Sequence, residues 1–469
     1  MIAVRGFGMK HALTVDFGST FTKIVVVDLS EKRIVLSDKV PSSVDTDATI
    51  GMRRCFELAK KTIGAEEFNR AKKLASSSAA GGLRMSVSGL TCSLSTPACK
   101  SAALGAGAKI IANHSGLLTG ETVRELEESQ TEIILLCGGY EQGNTSMVLA
   151  NATMLARSRI RVPIIYSGNS GLCKEIRRMM RVHRKQCFVV ENIIPELGVQ
   201  NIEPTQNVIR NLFLDSITDM KGFQAVKREF DNQLVPTPVA VLAAGELLNK
   251  GTSGNPGFGP FLLVDVGGAT TDVYSFSENK SYEGAKPVGL EEPFGKRTVE
   301  GDLGMRESAA GVITEEHIGP VASKLAIQEE DLRNSLRTRT RNIEYLPDSG
   351  IESEIDDTIA SLAVSTAARR HAGRILPSYS KRCQNIQVGK NCTEISKIIG
   401  TGGILVHNHN PAKILHAAEK TRQDKGALLP EKVEAYLDME YVLFSAGLLK
   451  EIDEDIAFGI MKNSLTRCG

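Results

Sequence analysis

The sequence predicts an α/β protein with a duplicated structural core. Over its 469 residues, short β-branched runs alternate with longer stretches of helical periodicity, and this alternation is typical of α/β architecture. One strand–turn–strand motif also occurs twice, as LTVDFGSTFTK at residues 13–23 and as LLVDVGGATTD at residues 262–272. At roughly 150 residues per domain, the length leaves room for two to four domains.

The first half of the chain is predicted to open with three consecutive strands. Leu13–Asp16, Ile24–Asp28 and Arg33–Leu36 are apolar and largely β-branched, and tight turns separate them. Further strands are predicted at residues 133–137, 162–166 and 187–191. Helices are predicted at residues 52–61, 105–112, 122–129, 145–156, 172–181 and 208–230.

The second half repeats the opening pattern. Strands are expected at residues 262–266 and 272–276, with a Gly-Gly-Ala turn between them, and a later strand at residues 395–400. Helices are expected at residues 313–341, 355–371, 411–420 and 439–450. The resulting domain plan is an N-terminal extension at 1–10, a first domain at 11–130, an enlarged α/β continuation of it at 131–235, a second domain at 236–440 and a C-terminal connecting helix at 441–469.

The repeated motif has the residue types that a phosphate site needs. In each copy an apolar strand ends in Asp-x-Gly, so Asp16 aligns with Asp265 and Gly18 with Gly267. Small turn residues let backbone N–H groups approach a polyphosphate. An aspartate at each strand end can supply an oxygen ligand for Mg²⁺, which usually keeps several waters. Positioning and charge neutralisation of this kind are what phosphoryl transfer requires.

A third glycine-rich turn, Gly400–Gly403, follows the predicted strand at residues 395–400. Glycine at such a turn leaves room for a base and a ribose. Because this turn comes after the second phosphate motif, we predict that it contributes to a nucleoside site.

Composition excludes several other classes of protein. The 56 Lys and Arg are balanced by 55 Asp and Glu, giving a net charge of +1, and this argues against bulk nucleic-acid binding. No apolar run reaches the roughly 18–20 residues that span a bilayer. The nine cysteines form no CxxC pair, so we expect most to be small buried residues and the location to be cytoplasmic.

The order of these motifs resembles that of the actin, hexokinase and heat-shock-chaperone ATPase superfamily. This resemblance implies two ribonuclease-H-like domains with ATP in a cleft between them. The segments TPVAVLAAGE (residues 237–246) and YVLFSAGLL (residues 441–449) resemble the two connecting helices of that superfamily, which cross closely through Ala and Gly. The segment GDLG at residues 301–304 resembles a helix start near the nucleotide.

A narrower resemblance covers nearly the whole chain. The segments VDFGSTFTK, LLCGGYEQGN, IIYSGNSG, VVENIIPELG, VEGDLGM and IGTGGILVHN look like those of the glutamate mutase accessory family (the GlmL or MutL type, unrelated to mismatch repair). That resemblance implies an ATP-dependent reactivating chaperone whose partners are the subunits of an adenosylcobalamin-dependent mutase. The balanced charge and the short apolar runs predict no nucleic-acid or membrane partner.

The resemblance also implies roles for particular residues. Asp16 and Asp265 would organise the metal, and either Asp265 or Asp272 could orient the attacking water. The residues that would contact ATP are Gly18, Ser19, Thr20, Lys23, Gly267, Gly268, Ala269, Thr270, Gly301, Gly400, Gly402 and Gly403. Lys23 is either electrostatic support for the phosphates or a solvated strand residue.

Two other functions stay open from the sequence. The same fold includes kinases of sugars and carboxylates, although residues 131–230 contain no clear catalytic Asp. A non-catalytic, nucleotide-gated scaffold is the other alternative. The basic run Arg177–Lys185 is either a solvated helix face or a docking face for an acidic partner.

Overall fold

The computed structural model of the chain describes residues 9–78, 83–143, 145–218, 220–231, 233–378 and 384–469. The chain divides into two compact units. The first unit comprises Met1–Leu247, Gly289–Glu291 and Val442–Ile460, and the second comprises Leu248–Val288, Glu292–Tyr441 and Met461–Gly469. Of the predicted extension at 1–10, residues 1–8 lie outside the described part of the chain.

Strands and helices alternate through both units. The strands are β1 (His11–Phe17), β2 (Phe21–Asp28), β3 (Arg33–Pro41), β4 (Lys72–Ser77), β5 (Arg84–Gly89), β6 (Lys109–Ser115), β7 (Ile133–Leu136), β8 (Ile164–Tyr166), β9 (Cys187–Val189), β10 (Leu234–Pro236), β11 (Gly251–Thr252), β12 (Asn255–Pro256), β13 (Phe261–Val266), β14 (Thr271–Phe276), β15 (Ala285–Val288), β16 (Gly295–Glu300), β17 (Arg374–Pro377), β18 (Asn385–Val388), β19 (Lys397–Thr401), β20 (Glu434–Asp438) and β21 (Leu465–Arg467). The α-helices are α1 (Ala48–Ile63), α2 (Ala65–Arg70), α3 (Ser95–Gly105), α4 (Gly120–Glu128), α5 (Ser146–Arg157), α6 (Cys173–Val182), α7 (Glu203–Thr218), α8 (Phe223–Glu229), α9 (Thr237–Lys250), α10 (Ala309–Val312), α11 (Glu315–Leu325), α12 (Glu329–Arg341), α13 (Gly350–His371), α14 (Gly403–Val406), α15 (Pro411–Leu415), α16 (Leu443–Leu449) and α17 (Glu454–Ser464).

The main sheet of the first unit has the strand order β3-β2-β1-β4-β10. β2 runs antiparallel to both of its neighbours, β1 and β3, whereas β4 is parallel to β1 and β10 is parallel to β4. Every residue of the central strand β1 is buried, because sheet neighbours flank it and helices cover its faces. The three strands predicted at the start of the chain are confirmed.

The second unit repeats this arrangement. Its main sheet has the order β16-β14-β13-β19-β20, with β21 added at the edge. β14 runs antiparallel to both β13 and β16, while β19 is parallel to β13 and β20 is parallel to β19. Strand order and strand direction therefore match the first unit. The duplicated ribonuclease-H-like fold that the sequence predicts is confirmed.

An additional sheet is formed by the part of the chain between β4 and β10, two strands that are themselves neighbours in the main sheet of the first unit. Its order is β6-β5-β7-β8-β9, and all of its strands are parallel. Alternate side chains of β7 enter two cores: one core contains residues of α3 and α7, and the other contains residues of α4, α5 and α6. The insert is thus a doubly wound α/β layer. It begins at Arg84, so it includes strands on both sides of residue 131.

Several expectations from the sequence differ from the structure: the helix predicted at 208–230 is two helices, α7 and α8, and the helix predicted at 313–341 is broken between α11 and α12. The helix predicted at 105–112 is wrong: α3 ends at Gly105, and β6 begins at Lys109. Gly107 has a φ of +94°, which interrupts the helix and lets the following isoleucines join the parallel sheet. Cys99 and Cys137 are buried, as expected for most of the cysteines, and they form a disulfide between α3 and the residue after β7, a pairing that the sequence did not indicate.

The two connecting helices cross closely, as predicted. A Cβ on Gly447 of α16 would overlap the backbone of Ala240 in α9. Ser445 of α16 also accepts a hydrogen bond of 2.7 Å from Thr14 of β1. Within the described ranges, no helix is long and apolar enough to cross a bilayer.

Candidate functional site

The first hairpin joins β1 and β2 through a two-residue turn, Ser19 and Thr20. The N–H of Gly18 donates to the carbonyl of Phe21 at 3.1 Å. A Cβ on Gly18 would lie 2.8 Å from that same oxygen, so the turn needs glycine for space. Ser42 holds the other side of the turn: its N–H donates to Thr20 O at 2.9 Å, and its Oγ donates to Gly18 O at 2.7 Å.

Asp16, at the end of β1, is held by two hydroxyl groups. Its Oδ1 accepts hydrogen bonds from Ser76 Oγ at 2.8 Å and from Thr237 Oγ1 at 2.5 Å. Asp16 is only 2% exposed, and its Oδ2 accepts no hydrogen bond from the described residues. Lys23, half-buried, lies directly opposite Asp16 in the β1–β2 register. The carboxylate is therefore oriented, with one oxygen available to a further ligand.

The second hairpin has the same backbone plan. Gly268 and Ala269 form its two-residue turn, and the N–H of Gly267 donates to Thr270 O at 2.9 Å. A Cβ on Gly304 would lie 2.5 Å from Gly268 O. Gly304, the second glycine of the GDLG segment, is thus required because the chain passes directly against the turn at this residue.

The segment after β16 supports this second turn through its carbonyl groups. Met305 N donates to the carbonyl of Gly267 at 3.0 Å, and Arg306 N donates to that of Gly268 at 2.8 Å. Ser308 Oγ donates to Ala269 O at 2.8 Å and to Gly301 O at 3.0 Å. The turn carbonyls are therefore occupied on one side, as Ser42 occupies those of the first turn.

The amide groups at the tips of both turns are in a different situation. The N–H groups of Ser19, Thr20, Gly268 and Ala269 donate no hydrogen bond to any described residue. Pairs of adjacent backbone amides in a turn are suitable donors for phosphate oxygens. The residues present thus fit a polyphosphate chemically.

The aspartates of the second hairpin differ from each other in their surroundings. Asp265 is exposed and lies directly opposite Asp272 in the register of β13 and β14. Asp272 Oδ2 accepts from Arg297 Nη2 at 2.7 Å and Nε at 3.0 Å, and from Tyr274 OH at 3.3 Å. The negative charge of Asp265 also acts on Tyr441: burial, followed by the charges of Asp265 and Asp438, raises the pKa of the Tyr441 hydroxyl to about 12. Asp265 is thus open to solvent, while the charge of Asp272 is balanced internally.

The third glycine turn lies against the end of β13. Gly402 has a φ of +103°, and a Cβ there would overlap the carbonyl oxygen of Val266 and lie 3.2 Å from Asp265 Oδ1. Gly400 is buried among leucine side chains, so its glycine serves core packing. Gly403 is exposed and begins the short helix α14. Within the second unit, the fold therefore brings the second and third motifs together.

A divalent ion would find few protein ligands here. Within the described residues, no cluster of three or more His, Cys, Asp or Glu side chains is placed to hold a metal. Mg²⁺ commonly binds through one or two carboxylates, substrate phosphates and water, and Asp16 and Asp265 suit that role chemically.

Five supporting side chains were not identified from the sequence: Ser42, Ser76, Thr237, Arg297 and Ser308. Thr237 is the residue for which a signal existed, because it opens the TPVAVLAAGE segment whose helix was identified. The others are single Ser or Arg residues without a pattern, and only the folded sheet brings them to the hairpins.

Comparison with known proteins identifies the family. The family model described as "MutL protein" matches residues 12–465 of the chain. The chain belongs to the MutL family. Protein MutL of Clostridium tetanomorphum is 38% identical over 461 residues, which cover 98% of this chain and 100% of that protein. The family resemblance found in the sequence is therefore confirmed.

Solved structures resemble this MutL-family chain only distantly. The ethanolamine utilization protein EutJ from Carboxydothermus hydrogenoformans is 11% identical, with a TM-score of 0.28, over 96% of this chain and 89% of that one. Gluconate kinase from Lactobacillus acidophilus is 9% identical, with a TM-score of 0.34, over 98% and 93% of the two chains. Scores this low carry no argument about function.

Proposed function

We propose that this MutL-family protein binds Mg-ATP through its two hairpins, hydrolyses it, and acts as a cytoplasmic reactivating chaperone for an adenosylcobalamin-dependent mutase of the glutamate mutase type. The observation that supports the nucleotide part is the backbone arrangement that the two turns share. In both, neighbouring residues hold the turn carbonyls, while the tip amides donate to no described residue. A polyphosphate would supply the acceptors that those amides lack.

The aspartates would divide the work at the metal. Asp16 is oriented by two hydroxyl groups and would bind Mg²⁺ or one of its waters through Oδ2. Asp265 is solvent-exposed and would do the same from the second hairpin, or orient the attacking water. Bound Mg²⁺ would neutralise charge on the phosphates as the terminal phosphoryl group leaves. Asp272 is the weaker candidate for the water, because Arg297 already binds its carboxylate.

The partner part of the proposal comes from the family. A nucleotide-dependent accessory protein needs different affinities for its client in its nucleotide states, since a ligand shifts an equilibrium only through differential affinity. We therefore expect the affinity for the mutase to change when ATP replaces ADP.

Isothermal titration with Mg-ATP tests nucleotide binding directly. We expect saturable binding by the native chain and its loss in the double variant Asp16→Ala with Asp265→Ala. Asp45→Ala with Glu283→Ala is the matched control, since it removes two exposed carboxylates outside the hairpins, one from each unit. Binding that persists unchanged in the hairpin variant would refute the assignment of these aspartates.

Product analysis separates the proposal from a small-molecule kinase. The proposed ATPase should release phosphate from ATP without an added acceptor, and purified mutase should stimulate that release. Stimulation of ADP release by a sugar or a carboxylic acid, with phosphate appearing on the added compound, would favour the kinase instead. Tight ATP binding with no turnover would indicate a scaffold.

A further inference from the structure

The inserted parallel sheet carries a dense group of positive charges on its outer helix and on the loop before β8. Eight cations make up this group, which we call the basic face: Arg157, Arg159, Arg161, Lys174, Arg177, Arg178, Arg181 and Arg184. All eight are exposed. With Lys185 included, residues 157–185 contain nine cations and a single acid, Glu175, although the whole chain has a net charge of only +1. The rest of the chain is therefore net acidic.

The loop and the helix of the basic face form one surface. Lys185, just after α6, donates from its Nζ to Ser158 O at 2.8 Å and also to Ile160 O. These bonds fix the loop after α5, which carries Arg159 and Arg161 and begins next to Arg157, against the end of α6. Beneath the surface, Ile160 packs in the same core as Ile176 and Met180 of α6. The positions of the charges are thus set by a packed layer.

The charges of the basic face are not balanced by ion pairs. None of the eight cations forms an ion pair with an acidic side chain in the part of the chain that the structure describes. Helix α12 of the second unit shows the usual alternative, because Arg333 pairs there with Glu315 and Glu329 at 3.1 Å each. Unpaired like charges at this density repel one another and add nothing to folding.

The chemistry of the face favours a protein as its partner. Seven of the eight cations are Arg, and Arg is enriched in protein interfaces whereas Lys is depleted. Val182 lies among them with 71% of its surface exposed, which supplies an apolar contact next to the charges. Arg is also one of the three residue types enriched in binding hot spots.

Two other classes of partner fit less well. An amphipathic helix enters a bilayer through its apolar face, but on α6 Ile176 and Met180 are fully buried in the core. Single-stranded nucleic acid binds through exposed aromatic rings beside the charges. The one Phe, Tyr or Trp of residues 157–185 is Tyr166, and it is completely buried.

We propose that the basic face is the docking surface for a protein partner that presents a carboxylate-rich surface. This inference rests on the proposed function, in which that partner is the mutase. The site is separate in sequence and in sheet from the two hairpins. Docking and nucleotide binding should therefore be separable by mutation.

The test measures binding of purified glutamate mutase to the immobilised full-length chain by surface plasmon resonance, with ATP or ADP present. Arg177→Glu with Arg178→Glu reverses two adjacent exposed cations of the face. Arg53→Glu with Arg54→Glu is the matched control, since it reverses two adjacent exposed arginines on α1 of the same unit. We expect the first pair to raise Kd by about tenfold or more and the control to leave Kd unchanged. Raising the salt from about 50 mM to about 300 mM should slow association of the native chain.

The outcomes are distinguishable. If the native chain binds the mutase and the Arg177/Arg178 variant binds equally well, the docking surface is refuted while the proposed function stands. If the native chain fails to bind the mutase with ATP or ADP, the proposed partner is refuted. Binding of a short DNA duplex or of phosphatidylserine–phosphatidylcholine vesicles, lost in the variant while mutase binding persists, would assign the face to that ligand instead. A circular-dichroism melt identical to that of the native chain excludes misfolding of the variant.

Discussion

The two hairpins share a backbone but differ in how their charges are supported. In the first hairpin, Asp16 is buried, held by two hydroxyls and opposed by Lys23. In the second, Asp265 is exposed and opposed by Asp272, whose charge is balanced by Arg297. Duplication of a fold has thus preserved the turn geometry while each copy acquired its own electrostatic support. One aspartate is fixed in position, and the other is accessible.

The largest loss of stability is expected when the ion pair between Asp272 and Arg297 in the second unit is removed. Asp272→Asn should destabilise the chain by about 3–5 kcal/mol, because the charge-assisted hydrogen bonds between this carboxylate and the buried Arg297 would be lost. Urea denaturation measures the loss of global stability, and hydrogen exchange of the backbone amides of β14 and β16 measures the local loss of protection. In the double variant Asp272→Asn with Arg297→Met, much of the stability should return. Equal stability of Asp272→Asn and the native chain would show that the pair is not structurally important.

The contrast between the buried Asp16 and the exposed Asp265 predicts different losses of stability when each is replaced by Asn. Asp16→Asn should cost about 1–3 kcal/mol, because its NH2 group would be buried at the Oδ2 position, where no described residue makes a hydrogen bond, and the two hydroxyls would no longer donate to a charged oxygen. Asp265→Asn should change stability by no more than about 0.5 kcal/mol, as is usual at an exposed position. Both variants should weaken Mg-ATP binding. Chemical denaturation and titration calorimetry on the same samples give the two quantities, and equal stability losses would contradict the contrast.

A pH dependence is expected in the second unit from His371. Its ring lies 2.8 Å from Ser275 Oγ on β14 and 2.9 Å from Thr298 Oγ1 on β16. Burial, followed by the charges of Lys390 and Lys296, lowers the pKa of His371 well below its usual value. The unfolded chain takes up a proton near pH 6.5 whereas the folded chain does not, so stability is full above that pH and falls below it.

The expected slope is about 1.4 kcal/mol per pH unit below pH 6.5 for this single group. Urea denaturation at pH 7.5 and at lower pH values down to about pH 5.5 would measure it. His371→Gln serves as the comparison, because it keeps polar contacts to the strands but cannot titrate. A native slope no steeper than that of the variant would show that His371 is not the responsible group.

The smallest expected effect concerns the supports of the two turns. Ser42→Ala removes the hydroxyl that donates to Gly18 O, and Ser308→Ala removes the one that donates to Ala269 O. Each should cost about 1 kcal/mol and weaken Mg-ATP binding modestly, because the tip amides would be less well fixed. Ser353→Ala, at an exposed helical position, is a matched Ser-to-Ala control. Calorimetric affinities identical to those of the native chain would show that the turns are rigid without these hydroxyls.

Local patterns were enough to predict the hairpins, and the superfamily resemblance implied the crossing of the connecting helices. Apolar strands bounded by Asp-x-Gly identify β1 and β13, and Gly447 allows the close approach to Ala240. The supports of Asp16 could not be predicted, because Ser76 and Thr237 are 60 and 221 residues away in sequence. Their meeting depends on the parallel pairing of β1, β4 and β10, which no local pattern specifies. The helix wrongly expected at 105–112 failed because sheet pairing outweighed local periodicity.

The inserted sheet has a consequence for the anatomy of the first unit. α3 and α7, which cover one face of the insert, lie in the same hydrophobic core as Leu13, Val15 and Phe17 of β1. Phe17 also packs edge-on against Phe223 of α8, with ring centroids 5.5 Å apart. The insert therefore shares the core that covers the Leu13, Val15 and Phe17 face of β1, the face opposite to Asp16, and it cannot be excised as a detachable module. A deletion that joins β4 directly to β10 would open that core to water.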